Sequence, residues 1–528
     1  MIHSLKKKIV LELQEYFPSI PWKNLITKVP SHQKGHISFP LFKYTKEYDE
    51  VVHYLQKKYT VIDSKPFINI VFSEEDILNS KNTYPSESKT LLLEYSQPNT
   101  HKILHIGHMR NLSYGHSLSL ILKSIGHKVI TCTYPGDHGA HVAKCLWYYK
   151  KFGQEPKELK GEYLGTLYSQ ATEYLENHPE CFEEVSEVQK EILNIYSDWY
   201  QLWLTTRDWS LQLMEDVYNY FHVSFDRWYF ESEEELPSLE YARLLYKEGF
   251  LELSEGALGK NLKEEDLGFA LLLKKDGNSL YLTKDLVLAK KKHLEFQPDE
   301  NIYIVDARQE YHFKQLFSLL EKLQEPKTKH LKYEVVELDS GAMSSRKGNF
   351  LGLWSFLKGL ENKVLDLYLN KYSWSEEEKY LCAQQIVVGA IKYGMLKVNP
   401  LKKVIFNEDQ WLSLEGNTGV YLQYTGTRIK SILKKQPKQE NLEYRYNDLE
   451  LDLLWISSLF EEEVFQSSIH YDPSILCHYL YNLCKKFNQY YAQSFIQEEI
   501  KRITLAKRVF SILNKGLELL GIEIPERM

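Results

Sequence analysis

Apolar and polar residues along this chain switch between two periods. The apolar run Leu91–Leu93 with Tyr95 reads as a buried strand, Pro98 stops it, and from Met109 to Ile125 apolar positions recur at helical spacing. A second β-rich run, Lys128–Thr133, follows, then Gly136-Asp137-His138-Gly139 and a helix through Lys151. Strand, helix and strand at these lengths require a right-handed parallel crossover, so the fold class predicted is α/β with a doubly wound, Rossmann-like parallel sheet. The sheet is expected to resume with Phe269–Leu273 and Ser279–Asp285, then a helix to His293, the strand Asn301–Val305, a helix Gln309–Leu323 and the strand Tyr333–Leu338. Residues 155 to about 250 show helical periods rich in Glu, Tyr and Trp and read as an insertion into that domain. Upstream, helices Leu5–Phe17 and Tyr48–Lys58 and the strand-like run Phe67–Phe72 make a small α/β domain, ended by the polar stretch Asn79–Ser86. After residue 356 only helical periods are expected. The domains predicted are therefore 1–85, 86–355 and an all-α 356–528.

Composition narrows this picture without changing it. A chain of 528 residues, 43% hydrophobic and 26% charged, fits several globular domains. Near the N-terminus Glu12, Gln14 and Glu15 break the apolar stretch, so it reads as an amphipathic helix and not a leader, and no run approaches the ~18 apolar residues of a membrane span. The six cysteines form no C-x-x-C pair, which points to reduced thiols and a cytoplasmic protein. A net charge of −7 argues against indiscriminate coating of nucleic acid. The segment Arg428–Arg445, with Lys430, Lys434, Lys435 and Lys438, is nevertheless locally basic, either a solvated face or an RNA surface. No hydrophobic heptad seam suggests a dimer, so a monomer is expected.

The chemistry centres on His105-Ile106-Gly107-His108, which lies between the first sheet strand and its helix. Unpaired backbone N–H groups and the positive end of the helix dipole make such a turn an anion site. Gly107 lets a ligand approach the backbone, and His105 and His108 add imidazole donors, although a histidine at a helix start also serves as a cap or a core residue. No metal-ligand spacing accompanies the turn. A second loop, Asp339–Asn349, carries Ser344, Ser345, Arg346 and Lys347 between glycines, the composition of a segment that closes on phosphate.

Residues 94–110, EYSQPNTHKILHIGHMR, resemble the long signature of class I aminoacyl-tRNA synthetases, and within that class the arginyl enzymes. Residues 280–285 (LYLTKD), 307–313 (ARQEYHF), 35–39 (GHISF), 66–70 (PFINI), 422–432 (LQYTGTRIKSI) and the closing PERM are similar to further segments of that family, in the same order. The resemblance implies two steps, formation of arginyl-adenylate from ATP and transfer to the terminal adenosine of tRNA(Arg), with Mg²⁺ on the phosphates and tRNA required for activation. It implies catalytic roles for Lys102, His105, His108 and Lys347, and nucleotide contacts from Pro98, Asn99, Gly107, Met343, Ser344 and Arg346. Arginine would be held by Glu94, Asn99, Tyr281, Asp285 and Gln309, with Asp137 near the ribose or the amino acid, and tRNA by Tyr424, Arg428, Lys430 and Met528. A planar guanidinium with five donors needs carboxylates in its plane, which suits Glu94 and Asp285. Two departures stand out. Ala342 and Ser345 replace the lysines of the usual K-M-S-K-S loop, and His138 replaces the tryptophan of G-D-W-G.

Overall fold

A computed structural model describes residues 3–30, 33–82, 84, 87–339, 352–434, 444–494, 496 and 499–528. The chain forms two compact units, residues 1–87 with 421–518, and residues 88–420 with 519–526; Arg527 groups with the first and Met528 with the second.

The first unit opens with α1 (Ser4–Tyr16), which buries Leu5, Ile9, Val10 and Leu13 on one face, and α2 (Trp22–Leu25). Strands β1 (Ile37–Pro40), β2 (Thr60–Ser64) and β3 (Phe67–Val71) form an antiparallel sheet in the order β1-β3-β2, with α3 (Tyr48–Gln56) between β1 and β2 and α4 (Glu74–Leu78) after β3. Ser73 and Asp76 close a capping box at the start of α4.

In the second unit, β4 (Thr90–Glu94), α5 (His108–Ser124), β5 (Lys128–Thr133) and α6 (Ala140–Phe152) build the expected crossover. The insertion contributes α7 (Lys160–Asn177), α8 (Phe182–Glu191), α9 (Asp198–Tyr220), the short β6 (Arg227–Trp228) and α10 (Glu231–Lys247). Strands β7 (Glu252–Ser254), β8 (Ala257–Asn261) and β9 (Phe269–Leu273) form a separate antiparallel meander. Then come α11 (Tyr281–Phe296), β10 (Glu300–Asp306), α12 (Glu310–Lys322) and β11 (Lys327–Tyr333). The main sheet is parallel throughout, in the order β11-β10-β4-β5-β6. A core of Ala242, Leu272, Leu286, Tyr303, Phe313 and Leu316 joins α10, β9, α11, β10 and α12. Strand β12 (Val336–Leu338), helices α13 (Leu353–Val364) and α14 (Glu376–Leu396), strand β13 (Val404–Phe406) and α15 (Glu408–Leu412) follow.

Four expectations are corrected here. Phe269–Leu273 is β9 of the meander and does not join the parallel sheet. Ser279–Asp285 is not a strand: Ser279 makes one bridge to Leu273 and the helix starts at Tyr281. Leu282, Leu286 and Ala289 are buried at helical spacing, a period hidden by the short apolar run in front of them. The run Tyr333–Leu338 is divided, because β11 ends at Tyr333 and Val336–Leu338 pairs instead with β13, so strands do continue past residue 356. The polar sequence of β11 hid it because it is a sheet edge, where alternate lysines cost nothing.

Helices α16 (Gly419–Leu433), α17 (Asp448–Ser458), α18 (Phe460–Ile469), α19 (Ser474–Gln493) and α20 (Ile500–Leu519) complete the chain. Among the described residues no helix is long and apolar enough to cross a membrane. Inside the first unit, Trp455 of α17 stacks on the His36 ring at 5.2 Å and meets the His3 ring edge-on at 4.9 Å. Nε2 of His3 lies 3.1 Å from Ser458 Oγ, and Nδ1 of His36 accepts the Phe72 amide at 2.9 Å. Burial lowers both histidines to about 4, assisted at His3 by Lys6 and opposed at His36 by Asp452. Both are therefore neutral when folded and take up protons on unfolding, so their contribution is lost as pH falls from about 6.5 towards 4, by about 3 kcal/mol each at the acid end. Hydrogen exchange at the 453–458 amides should accelerate between pH 6.5 and 4.5 beyond its intrinsic pH dependence. A flat protection profile would show these rings to be solvated.

Candidate active site

The site is built where β4 and β5 end. Asn111 of α5 ties the strand ends together: its Oδ1 accepts the Ser96 amide at 2.6 Å, and its Nδ2 donates to the Ile304 carbonyl at 2.8 Å and the Tyr333 hydroxyl at 3.1 Å. The two following loops are zipped by Gly136 N–H to the Pro98 carbonyl (3.3 Å) and Thr100 N–H to the Gly136 carbonyl (2.9 Å). A Cβ on Gly136 would fall 2.3 Å from Asn99 Oδ1 and 3.2 Å from Glu231 Oε2, so only glycine lets these two groups converge.

The histidine turn follows. Nδ1 of His105 accepts the Gly107 amide at 3.1 Å, which leaves its proton on Nε2. Nδ1 of His108 lies 3.1 Å from the His105 amide and 3.2 Å from the His105 carbonyl, and the two rings are 4.1 Å apart. Burial holds His105 down to about 4 and, with His105 and Lys102 adding to it, holds His108 well below the usual range. Both act as neutral imidazoles. Burial also lowers Lys102, against the pull of Glu231.

Beside this turn lies an acidic pocket. Glu231, the first residue of α10, is 6% exposed; its Oε1 accepts Lys284 Nζ at 2.9 Å, and the same ammonium reaches Glu235 at 2.5 Å. Asp285 pairs with His312 Nε2 at 2.6 Å. Glu94 is buried and paired with the fully buried Lys292. The Tyr134 hydroxyl is buried, with no hydrogen-bond partner among the described residues. Burial first, and then the fields of Asp285, Glu231 and Glu94, push its pKa well up. Glu94, Glu231 and Asp285 thus act on an unpartnered hydroxyl, with Glu235 joined to Glu231 through Lys284. Carboxylates gathered around a buried hydroxyl suit a cationic side chain.

The structure gathers Asn99, Asp285, Lys102, His105, His108 and Gly107 at this edge, with Tyr281 at the start of α11, 65% exposed. It adds Glu231, Lys284, Glu235, Tyr134 and His312, none of which was assigned a site role from the sequence, although Lys284 and His312 lie inside the family-like segments 280–285 and 307–313. Asp137 is buried with both carboxylate oxygens engaged, by Ser232 N and Oγ (2.8 Å each) and Arg207 Nε (2.6 Å), which makes it the anchor of the α10 start. Glu94 pairs with Lys292 at the wall of the pocket. Pro98 is buried in the zipped loop, and Gln309 is exposed after β10. Met343, Ser344, Arg346 and Lys347 lie outside the described residues.

In the first unit, the Arg428 guanidinium packs over Tyr424 at 4.7 Å and Tyr491 at 5.2 Å and donates to Asn488 Oδ1 at 2.7 Å, with Lys430 half-buried nearby on the same helix. This is an aromatic and cationic surface of the kind that stacks bases. Met528 groups with the second unit.

A parallel sheet with its ligand groups at the carboxyl ends of β4 and β5 and a histidine turn opening α5 is the architecture of a class I aminoacyl-tRNA synthetase. The family described as "tRNA synthetases class I (R), catalytic domain" matches residues 73–408, and "DALR anticodon binding domain" matches residues 422–528. The chain is 41% identical over 503 residues to the arginine–tRNA ligase of Bdellovibrio bacteriovorus, covering 89% of this chain and 87% of that one, and 32% identical over 561 residues to that of Borrelia duttonii, covering 96% and 94%. The Thermus thermophilus arginyl-tRNA synthetase structure superposes with a TM-score of 0.81 over 99% of both chains at 22% identity, which shows a shared fold. The chain belongs to the arginyl-tRNA synthetase family.

Proposed function

We propose that this arginine–tRNA ligase holds the guanidinium of arginine between Glu231 and Asp285, with the Tyr134 and Tyr281 hydroxyls as polar contacts and Asn99 on the amino-acid backbone. The observation that carries this reading is the unpartnered Tyr134 hydroxyl amid carboxylates. A buried polar group without a partner is costly and is satisfied when a donor-rich ligand enters. Gln309 lies on the loop after β10, from which it would reach the carboxylate end of the substrate.

ATP lies, in this reading, along the zipped loop and the histidine turn, with Pro98 and Gly107 allowing close approach. The arginine carboxylate attacks the α-phosphate, pyrophosphate leaves, and the arginyl group passes to a hydroxyl of the terminal adenosine. No protein nucleophile is needed. Neutral His105 donates through Nε2–H, His108 stands beside it, and Lys102 supplies positive charge as it develops on the phosphates. Lys347, Arg346, Met343 and Ser344 would complete the phosphate contacts. Among the described residues no group of three His, Cys, Asp or Glu side chains is arranged to hold a metal, so Mg²⁺ would arrive with the triphosphate, whose oxygens suit it. Tyr424, Arg428 and Lys430 offer the RNA surface, and Met528 a contact near the acceptor end. The six cysteines are free, which supports a reducing cytoplasm.

ATP–pyrophosphate exchange with each of the twenty amino acids, with and without tRNA, tests the assignment. Exchange should occur with arginine and require tRNA. Exchange driven by another amino acid would remove the guanidinium pocket, and exchange without tRNA would remove the coupling.

A further inference from the structure

Helix α7 of the insertion carries Glu162, Gly165, Tyr168 and Thr172 at three- and four-residue spacing, hence on one face. Together they meet three parts of the second unit. Glu162 accepts the Trp354 and Ser355 amides at 2.8 and 3.2 Å and so caps α13. A Cβ on Gly165 would come within 2.7 Å of the Ile103 backbone, so this glycine admits the segment just before the histidine turn. The Tyr168 ring is approached by two ammoniums, Lys102 Nζ at 5.4 Å and Lys144 Nζ at 4.2 Å from its centroid. Thr172 Oγ1 accepts Lys144 Nζ at 2.7 Å. One face of one helix therefore aligns the start of α13, the approach to His105 and two lysines from different segments.

Two ammoniums that share one ring make a local concentration of positive charge, which a π face compensates only in part. The neighbouring imidazoles supply no charge, because burial together with Lys102 lowers both His108 and His141. A polyphosphate, with several anionic oxygens spread over its length, is a ligand that uses both cations. We propose that Lys144 is a second phosphate-binding residue of the active site, set beside Lys102 by Tyr168 and Thr172 to take the pyrophosphate portion of ATP. The proposal rests on reading Lys102 and the histidine turn as the phosphate site, and it gives the insertion helix a positioning role.

The test is ATP–pyrophosphate exchange by the full chain with arginine and tRNA present, each varied in turn, for Lys144→Met, Lys144→Arg, Tyr168→Leu and Lys102→Met. Lys144→Met should raise the KM for ATP about tenfold, the loss of one charge-assisted contact, with arginine and tRNA KM unchanged. Lys144→Arg should restore most of it, and Tyr168→Leu should give a smaller rise of the same sign. If Lys102→Met raises the ATP KM and Lys144→Met leaves it within about twofold, the role of Lys144 is overturned; if neither moves it, the phosphate-site reading itself falls. A rise confined to tRNA would give Lys144 to the RNA backbone and overturn its assignment to ATP.

Discussion

Glu231→Gln raises the KM for arginine by about two orders of magnitude and leaves that for ATP within about twofold. The asymmetry follows from where the carboxylate sits. Its Oε2 converges with Asn99 over Gly136, and its Oε1 is held by Lys284. Glutamine keeps the shape but removes the charge and replaces one acceptor with a donor that faces the guanidinium. A charged hydrogen bond in a buried site is worth about 1.5–3 kcal/mol, and leaving the guanidinium partly unpaired adds to that loss. Burial raises the pKa of Glu231, and Lys284 opposes that rise by favouring the carboxylate. Asp285→Ala should act in the same direction and should release His312 as well, since Asp285 is its partner at 2.6 Å. An equal loss for arginine and ATP in either variant would mean that the pocket has collapsed, and a thermal unfolding midpoint matching the parent would then leave the guanidinium assignment wrong. Citrulline, uncharged but nearly isosteric with arginine, provides the sharper control: Glu231→Gln should narrow the preference for arginine over it.

The sequence made the centre of the site legible and its walls much less so. β4, α5 and β5 declare themselves by an apolar run, a helical period and a second run, because all three are buried on the sheet faces. The turn between them lies within seventeen consecutive residues, so spacing alone brings its groups together. Glu231 and Asp285 do not share that advantage, because each reaches the pocket on a separate helix whose position depends on packing among α10, α11 and β9. Glu94 stands at a strand end in the right motif, and only the fold brings Lys292, three turns into α11, to pair with it from inside the core. Local pattern shows that Asp137 stands at a strand end; only the fold shows Arg207 and Ser232 closing on it. The meander was misplaced for a related reason, since an apolar five-residue strand looks the same in a buried parallel sheet and in a side sheet packed on one face.

His108→Ala should slow adenylate formation by a factor of about 10² to 10³ while the affinity for tRNA stays within about twofold. The ring stands at the first residue of α5, 4.1 Å from His105, and both are fixed through backbone groups of their own turn. Removing it takes away a preorganised group where negative charge grows, but touches none of the aromatic and cationic surface around Tyr424, Arg428 and Tyr491. The pH dependence separates this role from general acid–base catalysis. A proton shuttle would need a pKa near neutrality, whereas burial holds His105 at about 4 and His108 well below its usual range. The single-turnover rate of arginine activation should therefore be flat in these two groups from pH 8 down to about 6 and change only as pH approaches the folded value of His105. A titration of the parent enzyme near pH 7 that disappears in His108→Ala would make this histidine a proton-transfer group and replace electrostatic positioning as its contribution. If tRNA affinity fell while the activation rate held, the histidine turn would belong to RNA binding, and the phosphate site would have to be sought elsewhere along the sheet edge.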